Sequence, residues 1–274
     1  MTAAAFPARA ARPEGADALL DAARSALDAG RRAEARRELE RAAALPLDAA
    51  RLTRLIGLYE SVPDYCLAAD AGRRLVRRTG GASALILYAD GAAYCGRRAR
   101  AAAALEKAFA ETSKPEDLDQ IAYLFLYDGR PARSVAASDR YLRLTPGDLW
   151  HWARRARACA QAGDAAAARA ALAREREFLK DPRALCRGLA SPTAYDRARD
   201  GLVWPAAQDG FGTPELRRAC RETSLAVVAR ALDDCAGRPA VLSHAGLIAG
   251  ALGDDGLERR ALSAAVAAGA DDPD

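Results

Sequence analysis

Residues able to do chemistry are few in this chain and far apart. His151 and His244 are its only histidines, one preceded by Trp150 and the other by Ser243. Neither has a nucleophile, metal ligand or carboxylate at a fixed spacing that would put an imidazole to work. There is no HExxH, no glycine-rich phosphate loop closing on Lys-Ser or Lys-Thr, and no nucleophile elbow. Both histidines therefore read as packing or surface residues, and no catalytic residue is expected. The acidic pairs Asp233-Asp234, Asp254-Asp255 and Asp271-Asp272 lack the alternating oxygen ligands of a calcium loop and read as solvated turns. No metal and no cofactor is expected. Cys66, Cys95, Cys159, Cys186, Cys220 and Cys235 are widely spaced without a CxxC, and five of the six fall in predicted helices. They read as reduced, mostly buried small hydrophobes, with redox or zinc chemistry as the alternative.

Recognition is the function class that remains, so the elements that would carry it come next. Hydrophobic residues make up 51% of the 274 and aromatic ones only 6%, so the core is built from Ala and Leu. Ala is the best helix former and β-branched residues are sparse, which favours an all-α chain punctuated by its 21 Gly and 13 Pro. The net charge of +4 is mildly basic, and only Lys107, Lys114 and Lys180 among the 41 basic residues are Lys. Ala-rich, Arg-for-Lys usage is what a GC-rich bacterial genome produces. Because the Arg residues are interleaved with Asp and Glu, a nucleic-acid surface is disfavoured. Residues 1–15, MTAAAFPARAARPEG, lack the apolar core of a secretory leader, and no run approaches 18 apolar residues. The expectation is a cytoplasmic protein with no membrane insertion and a disordered lead-in over 1–15.

The stretch Pro115 to Pro146 reads as two amphipathic helices joined at Asp128-Gly129, with Leu118, Ile121, Ala122 and Phe125 on one face and Val135, Ser138, Tyr141 and Leu142 on the other. Neither helix alone covers its apolar face, so the unit predicts an array of copies. A column of small residues confirms the period: Ala35, Ala68, Ala101, Ser134 and Ala168 stand 33, 33, 33 and 34 positions apart. Five residues before each comes a turn residue, Gly30, Pro63, Gly96, Gly129 or Gly163. Four residues after each comes Leu39, Gly72, Leu105, Ser138 or Leu172.

These residues resemble the tetratricopeptide repeat, whose pattern is W-x2-L-G-x2-Y, then A-x3-F, then P in about 34 residues. Leu52, Leu55, Ile56, Tyr59, the Pro63-Asp64-Tyr65 turn and Ala68 carry the resemblance in one unit. Leu118, Ile121, Ala122, Phe125, Ser134 and Pro146 carry it in another. The fifth unit departs from the pattern, with Arg155 where Leu is usual and Glu175 where Ala is usual. A pair between those two would satisfy both. The resemblance implies a right-handed α-solenoid: five repeats over 16–182, an irregular helical segment over 183–238 with an inserted loop at 201–212, and a last hairpin over 239–270, in one continuous array. Within the irregular segment, Thr213-Pro214 predicts the start of a helix over about 214–236.

The resemblance also implies where a partner would lie. Solvent-facing positions of each first helix line the inner wall of such a solenoid. Here they include Asp17, Arg24, Thr53, Glu60, Asp90, Tyr94, Asp119, Tyr123, Tyr127, Trp150 and Arg157. Tyr, Trp and Arg are the types that anchor interfaces, so Asp90, Asp119, Tyr123, Tyr127, Trp150 and Arg157 are the expected contacts, with Asp90 and Asp119 as unpaired carboxylates. Trp204 and Phe211 in the inserted loop are expected to dock on the solenoid or to touch a partner. The Lys and Asn clamp by which some members of the family hold a C-terminal carboxylate is missing, since the chain contains no Asn. The expectation is a non-catalytic adaptor or scaffold that binds a protein or peptide. The alternative is a regulator that contacts nucleic acid through Arg.

Overall fold

A computed structural model describes residues 15–178, 185–186, 189–190 and 213–269. The Ala-rich amphipathic stretches fold as expected into helices. They are α1 (Ala16–Asp28), α2 (Arg32–Ala43), α3 (Ala49–Ser61), α4 (Tyr65–Thr79), α5 (Ala82–Tyr94), α6 (Arg98–Glu111), α7 (Pro115–Tyr127) and α8 (Pro131–Leu144). These are followed by α9 (Leu149–Gln161), α10 (Ala165–Phe178), α11 (Pro214–Asp234), α12 (Pro239–Ala251) and α13 (Asp255–Ala267). All except α11 pair as antiparallel hairpins with their sequence neighbours. Local signals set the starts: Asp48, Asp148, Thr213 and Asp254 accept a backbone N–H in the first turn of α3, α9, α11 and α13. The pair expected between Arg155 and Glu175 falls partly outside the described residues. Arg155 donates to Asp139 of α8 at 2.6 Å, while the Glu175 side chain lies outside the described residues, as does the loop carrying Trp204 and Phe211.

Except between α3 and α4, where Pro63 stands at φ 21°, the turns between hairpin helices use the same device. Gly30, Gly96, Gly129 and Gly163 have φ between 71° and 84°, the left-handed region that only glycine enters without a Cβ penalty. The next residue then donates its N–H five positions back: Arg31 to Ala26, Arg97 to Ala92, Arg130 to Phe125 and Asp164 to Cys159, at 2.7 to 2.9 Å. That bond satisfies a carbonyl the helix end would otherwise leave open and reverses the chain in the shortest path. Beyond the turn, Ala35, Ala68, Ala101, Ser134 and Ala168 are all fully buried. A larger side chain there would push the two helices apart.

Cα packing divides the chain into two compact units, Met1–Thr112 and Ser113–Asp274. In the first, Leu20, Leu39, Leu55, Ile56 and Tyr59 form the centre of a continuous core. Its tightest seam lies between α4 and α5, where a Cβ on Gly91 would meet the Ala69 backbone N at 2.7 Å and one on Gly72 the Tyr88 Cα at 2.8 Å. Glycine is required at both positions because backbone, which cannot swing aside, is the obstacle.

In the second unit, α11 is shared by two cores. Leu216 and Cys220 near its start pack with Ala156, Cys159, Ala168 and Leu172 of α9 and α10. Val227, Val228 and Ala231 near its end pack with Val241, Ala245, Ile248 and Leu257 of α12 and α13. Arg221 strengthens the second junction by donating to the Leu252 and Gly253 carbonyls at 3.0 and 3.4 Å, at the C-terminal end of α12. In the last hairpin, Glu258 occupies the position of the small column. It is tolerated because its carboxylate lies over Gly250, where a Cβ would come within 2.5 Å of Oε1.

The cysteines correct the sequence expectation. Cys66 is bonded to Cys95 and Cys186 to Cys235, while Cys159 and Cys220 are free and buried. The partners are 29 and 49 residues apart, and sequence spacing across different units concealed them. The first pair joins the start of α4 to the C-cap of α5, beside a stacked Tyr65 and Tyr94 whose ring centres lie 4.7 Å apart. Closing loops of that length stabilises a fold by about 2–4 kcal/mol. Thiol titration of the unreduced protein in denaturant should count two thiols, rising to six after reduction; six without reductant would remove both bonds from this account.

Candidate functional site

On the first helices of the first unit, Glu60 of α3 and Asp90 of α5 form an acidic pair. Both side chains are partly buried, and Glu60 Oε1 and Asp90 Oδ1 are withdrawn from solvent with no hydrogen-bond partner. Burial pushes the Glu60 carboxyl up to about 7, with the charge of Asp90 adding to it. Burial likewise raises Asp90 to about 6. Desolvation costs the charged form, and here no cation offsets it. Other wall residues of this unit are already engaged. Asp17 accepts from Arg51 of α3 at 2.6 and 3.0 Å, and Asp21 accepts from Arg54. The arrangement leaves one concentration of uncompensated negative charge, suited to a cationic group from outside.

In the second unit, α7 to α9 carry the remaining expected contacts, and they divide. Tyr127 is exposed and Tyr123 half-exposed, with ring centres 6.5 Å apart, and the Arg154 guanidinium lies 5.8 Å from the Tyr123 ring. Arg157 of α9 is partly buried. Trp150 lies in the first turn of α9, and its side chain is outside the described residues.

Asp119 is not the unpaired carboxylate expected from sequence. It is buried, takes an ion pair from Arg154, and faces His151 Nδ1 at 3.2 Å. Arg154 also donates to the Asp119 carbonyl at 3.1 Å.

This buried network is the part of the wall that sequence reading missed. His151 is 2% exposed and stacks on Tyr141 with ring centres 3.8 Å apart. The Tyr141 hydroxyl donates to Asp148 at 2.6 Å, and Asp148 in turn caps α9 through the His151 N–H. Burial moves the His151 pKa down, against the opposing pull of Asp119. His151 is therefore neutral near pH 7, its Nδ1–H donating to Asp119, while Nε2 has no partner. The network locks α7 to α9 and fixes the helix face that carries Tyr123. The signal was present as a period. Asp119 lies 32 residues before His151 and 35 before Arg154, close to one repeat. His244 is structural too, its Nδ1 bonding the Leu189 carbonyl at 2.7 Å. Among the described residues no group of three His, Cys, Asp or Glu could hold a metal ion, and no helix is long and apolar enough to cross a membrane.

Two outcomes follow from these charges. Removing Asp119 strands a buried guanidinium, so Asp119→Ala should cost about 3–5 kcal/mol in chemical denaturation; a loss under 1 kcal/mol would show the network to be ornamental. Glu60 behaves oppositely. Its folded-state pKa is raised above the unfolded one, so its destabilising effect is absent below about pH 4.5, grows as pH rises through about 7, and is complete above. Discounted for partial exposure, it amounts to about 1–2 kcal/mol. The melting temperature should fall between pH 5 and 8, and Glu60→Gln should flatten that fall.

No family model matches the sequence, and no curated protein sequence matches it. Solved structures do. The C-terminal part of a repeat-containing protein from Cytophaga hutchinsonii, described as a TPR protein, superposes with a TM-score of 0.50 at 15% identity, over 82% of this chain and 88% of that one. A tetratricopeptide repeat protein from Parabacteroides merdae gives 0.49 at 14% identity, over 93% of each chain. The MamA protein gives 0.48 at 17% identity, over 61% of this chain and 94% of its own. At such identities the likeness is one of fold. Taken with the 33-residue period, the small column and the glycine turns, the likeness to the Cytophaga hutchinsonii structure shows an all-α fold of tandem helical hairpins like that of tetratricopeptide repeat proteins.

Proposed function

We propose that this protein is a non-catalytic scaffold that binds a peptide segment of a protein partner along its first-helix faces. One observation carries the reading: Glu60 and Asp90 hold buried, partnerless oxygens with raised pKa values and no neighbouring cation. A Lys or Arg from a partner would replace that unfavourable charge with a paired one, so binding gains where the free protein is destabilised. In the second unit, taken by itself, Tyr123 and Tyr127 offer an apolar anchor of their own, as aromatic rings only partly covered by their own chain. Asp119 serves by holding the α7 face in place, and Arg157 of α9 is a further proposed contact in the same unit.

Against the nucleic-acid alternative, many Arg side chains are spent on acids of their own or a neighbouring helix, as in Arg31 with Glu34, Arg41 with Glu38, Arg51 with Asp17 and Arg97 with Asp70. The cytoplasmic placement expected from the sequence is opposed by the two disulfides, which support an oxidising compartment.

Peptides selected from a random display library against the wild-type chain should include a set enriched in Lys or Arg. Their affinity should fall about tenfold or more in the Glu60→Gln/Asp90→Asn double variant. A separate set rich in apolar residues should lose on the order of 1–4 kcal/mol of binding in Tyr123→Ala, with helical content unchanged in both variants. Selected peptides that bind all variants with wild-type affinity would move the site off these faces.

A further inference from the structure

The first unit contains a second recognition surface of opposite sign. Pro46 and Leu47 of the α2–α3 connection, Leu52 of α3, and Arg74, Arg77 and Arg78 of α4 line a cleft of about 420 Å³. Its lining is three apolar side chains and three guanidiniums, with no carboxylate. Leu47 and Leu52 belong to the core and are already almost wholly covered, so Pro46 presents most of the exposed apolar lining. Arg74 is half-buried and held in place, donating to the Ala43 carbonyl at 2.8 Å and the Leu45 carbonyl at 3.2 Å where α2 ends. Arg77 and Arg78 are exposed and, among the described residues, make no hydrogen bond or ion pair. They differ in this from Arg73 and Arg97, both bonded to Asp70.

The dipole of α4 favours cations in its last turn. It does not call for an apolar cleft between them. Guanidinium groups beside an apolar lining match a ligand that combines carboxylates with a hydrocarbon side chain. Arg binds carboxylate in a two-pronged geometry, and an aliphatic side chain gains modestly by covering the exposed Pro46 ring. A phosphodiester backbone would use the charges and leave that ring wet.

We propose that this cleft docks an acidic peptide segment of a protein partner, with one apolar side chain against Pro46 and flanking carboxylates on Arg77 and Arg78. It is a separate site from the Glu60 and Asp90 pair, which would repel such a segment, and it does not rest on the function proposed above.

Fluorescence anisotropy with a fluorescein-labelled Asp-Glu-Leu-Asp-Glu-Glu peptide tests it, alongside a control peptide with Ser for Leu and a labelled oligo(dT) of equal charge. The Leu peptide should bind the wild-type chain, and about tenfold more weakly to the Arg77→Gln/Arg78→Gln variant. Because both side chains are exposed, the variant's circular dichroism and melting temperature should match wild type. The Ser peptide should bind several-fold more weakly than the Leu peptide, and Glu60→Gln/Asp90→Asn should leave the Leu peptide's affinity no weaker. Equal affinity of wild type and the Arg variant would overturn the proposal. So would equal binding of Leu and Ser peptides, or tighter binding of oligo(dT) with the same dependence on Arg77 and Arg78, the mark of a phosphate surface.

Discussion

Close approach of neighbouring helices is the constraint on which the rest depends. Small residues at Ala35, Ala68, Ala101, Ser134 and Ala168 are fully buried, and at Gly72 and Gly91 even a methyl group would meet backbone. Helices that come this close gain dispersion contacts along their whole length from small side chains, which is how a chain with few large rings builds a core. Each hairpin still leaves a face uncovered, and it is covered only by the next. Where the small column fails, at Glu258, a glycine on the facing helix restores the space.

Stacking of equal units has an electrostatic consequence. Residues about one period apart fall side by side on successive first helices, so charge pattern along the chain becomes charge pattern across a surface. Arg51 meets Asp17 and Arg54 meets Asp21, 34 and 33 residues earlier. Arg154 meets Asp119 by the same rule, but inside the protein, where pairing carries far more weight. At Glu60 and Asp90 acid meets acid, and both carboxyls are held above their ordinary range. That exception is the observation on which the proposed binding role rests.

Covalent links follow the same adjacency. Cys66 and Cys95 belong to consecutive hairpins at the seam where α4 and α5 pack most closely, so the bond reinforces contacts that already exist. Cys186 and Cys235 tie the chain before α11 to the end of α11, the helix that two cores share. Both bonds close long loops, for which cross-linking removes the most freedom from the unfolded chain.

Helix class, period and turn chemistry were legible in the sequence because each is local: an Ala-rich apolar stripe, a glycine that must adopt positive φ, an N-cap at Thr213. The line of the repeat from Ala35 to Ala168 and the surface position of Tyr127 follow from periodicity alone. Only tertiary structure decided which charges survive as free charges. Asp119 and Asp90 look alike in sequence, each an acid on a first helix. Yet one faces Arg154 and His151 a repeat later, whereas the other has an oxygen with no partner. The disulfides and the cleft at Arg77 and Arg78 were hidden for the same reason. Pairing depends on distances between elements that share no local signal, and a carboxylate, a thiol or a guanidinium has its chemistry set by what stands a few ångströms away in space.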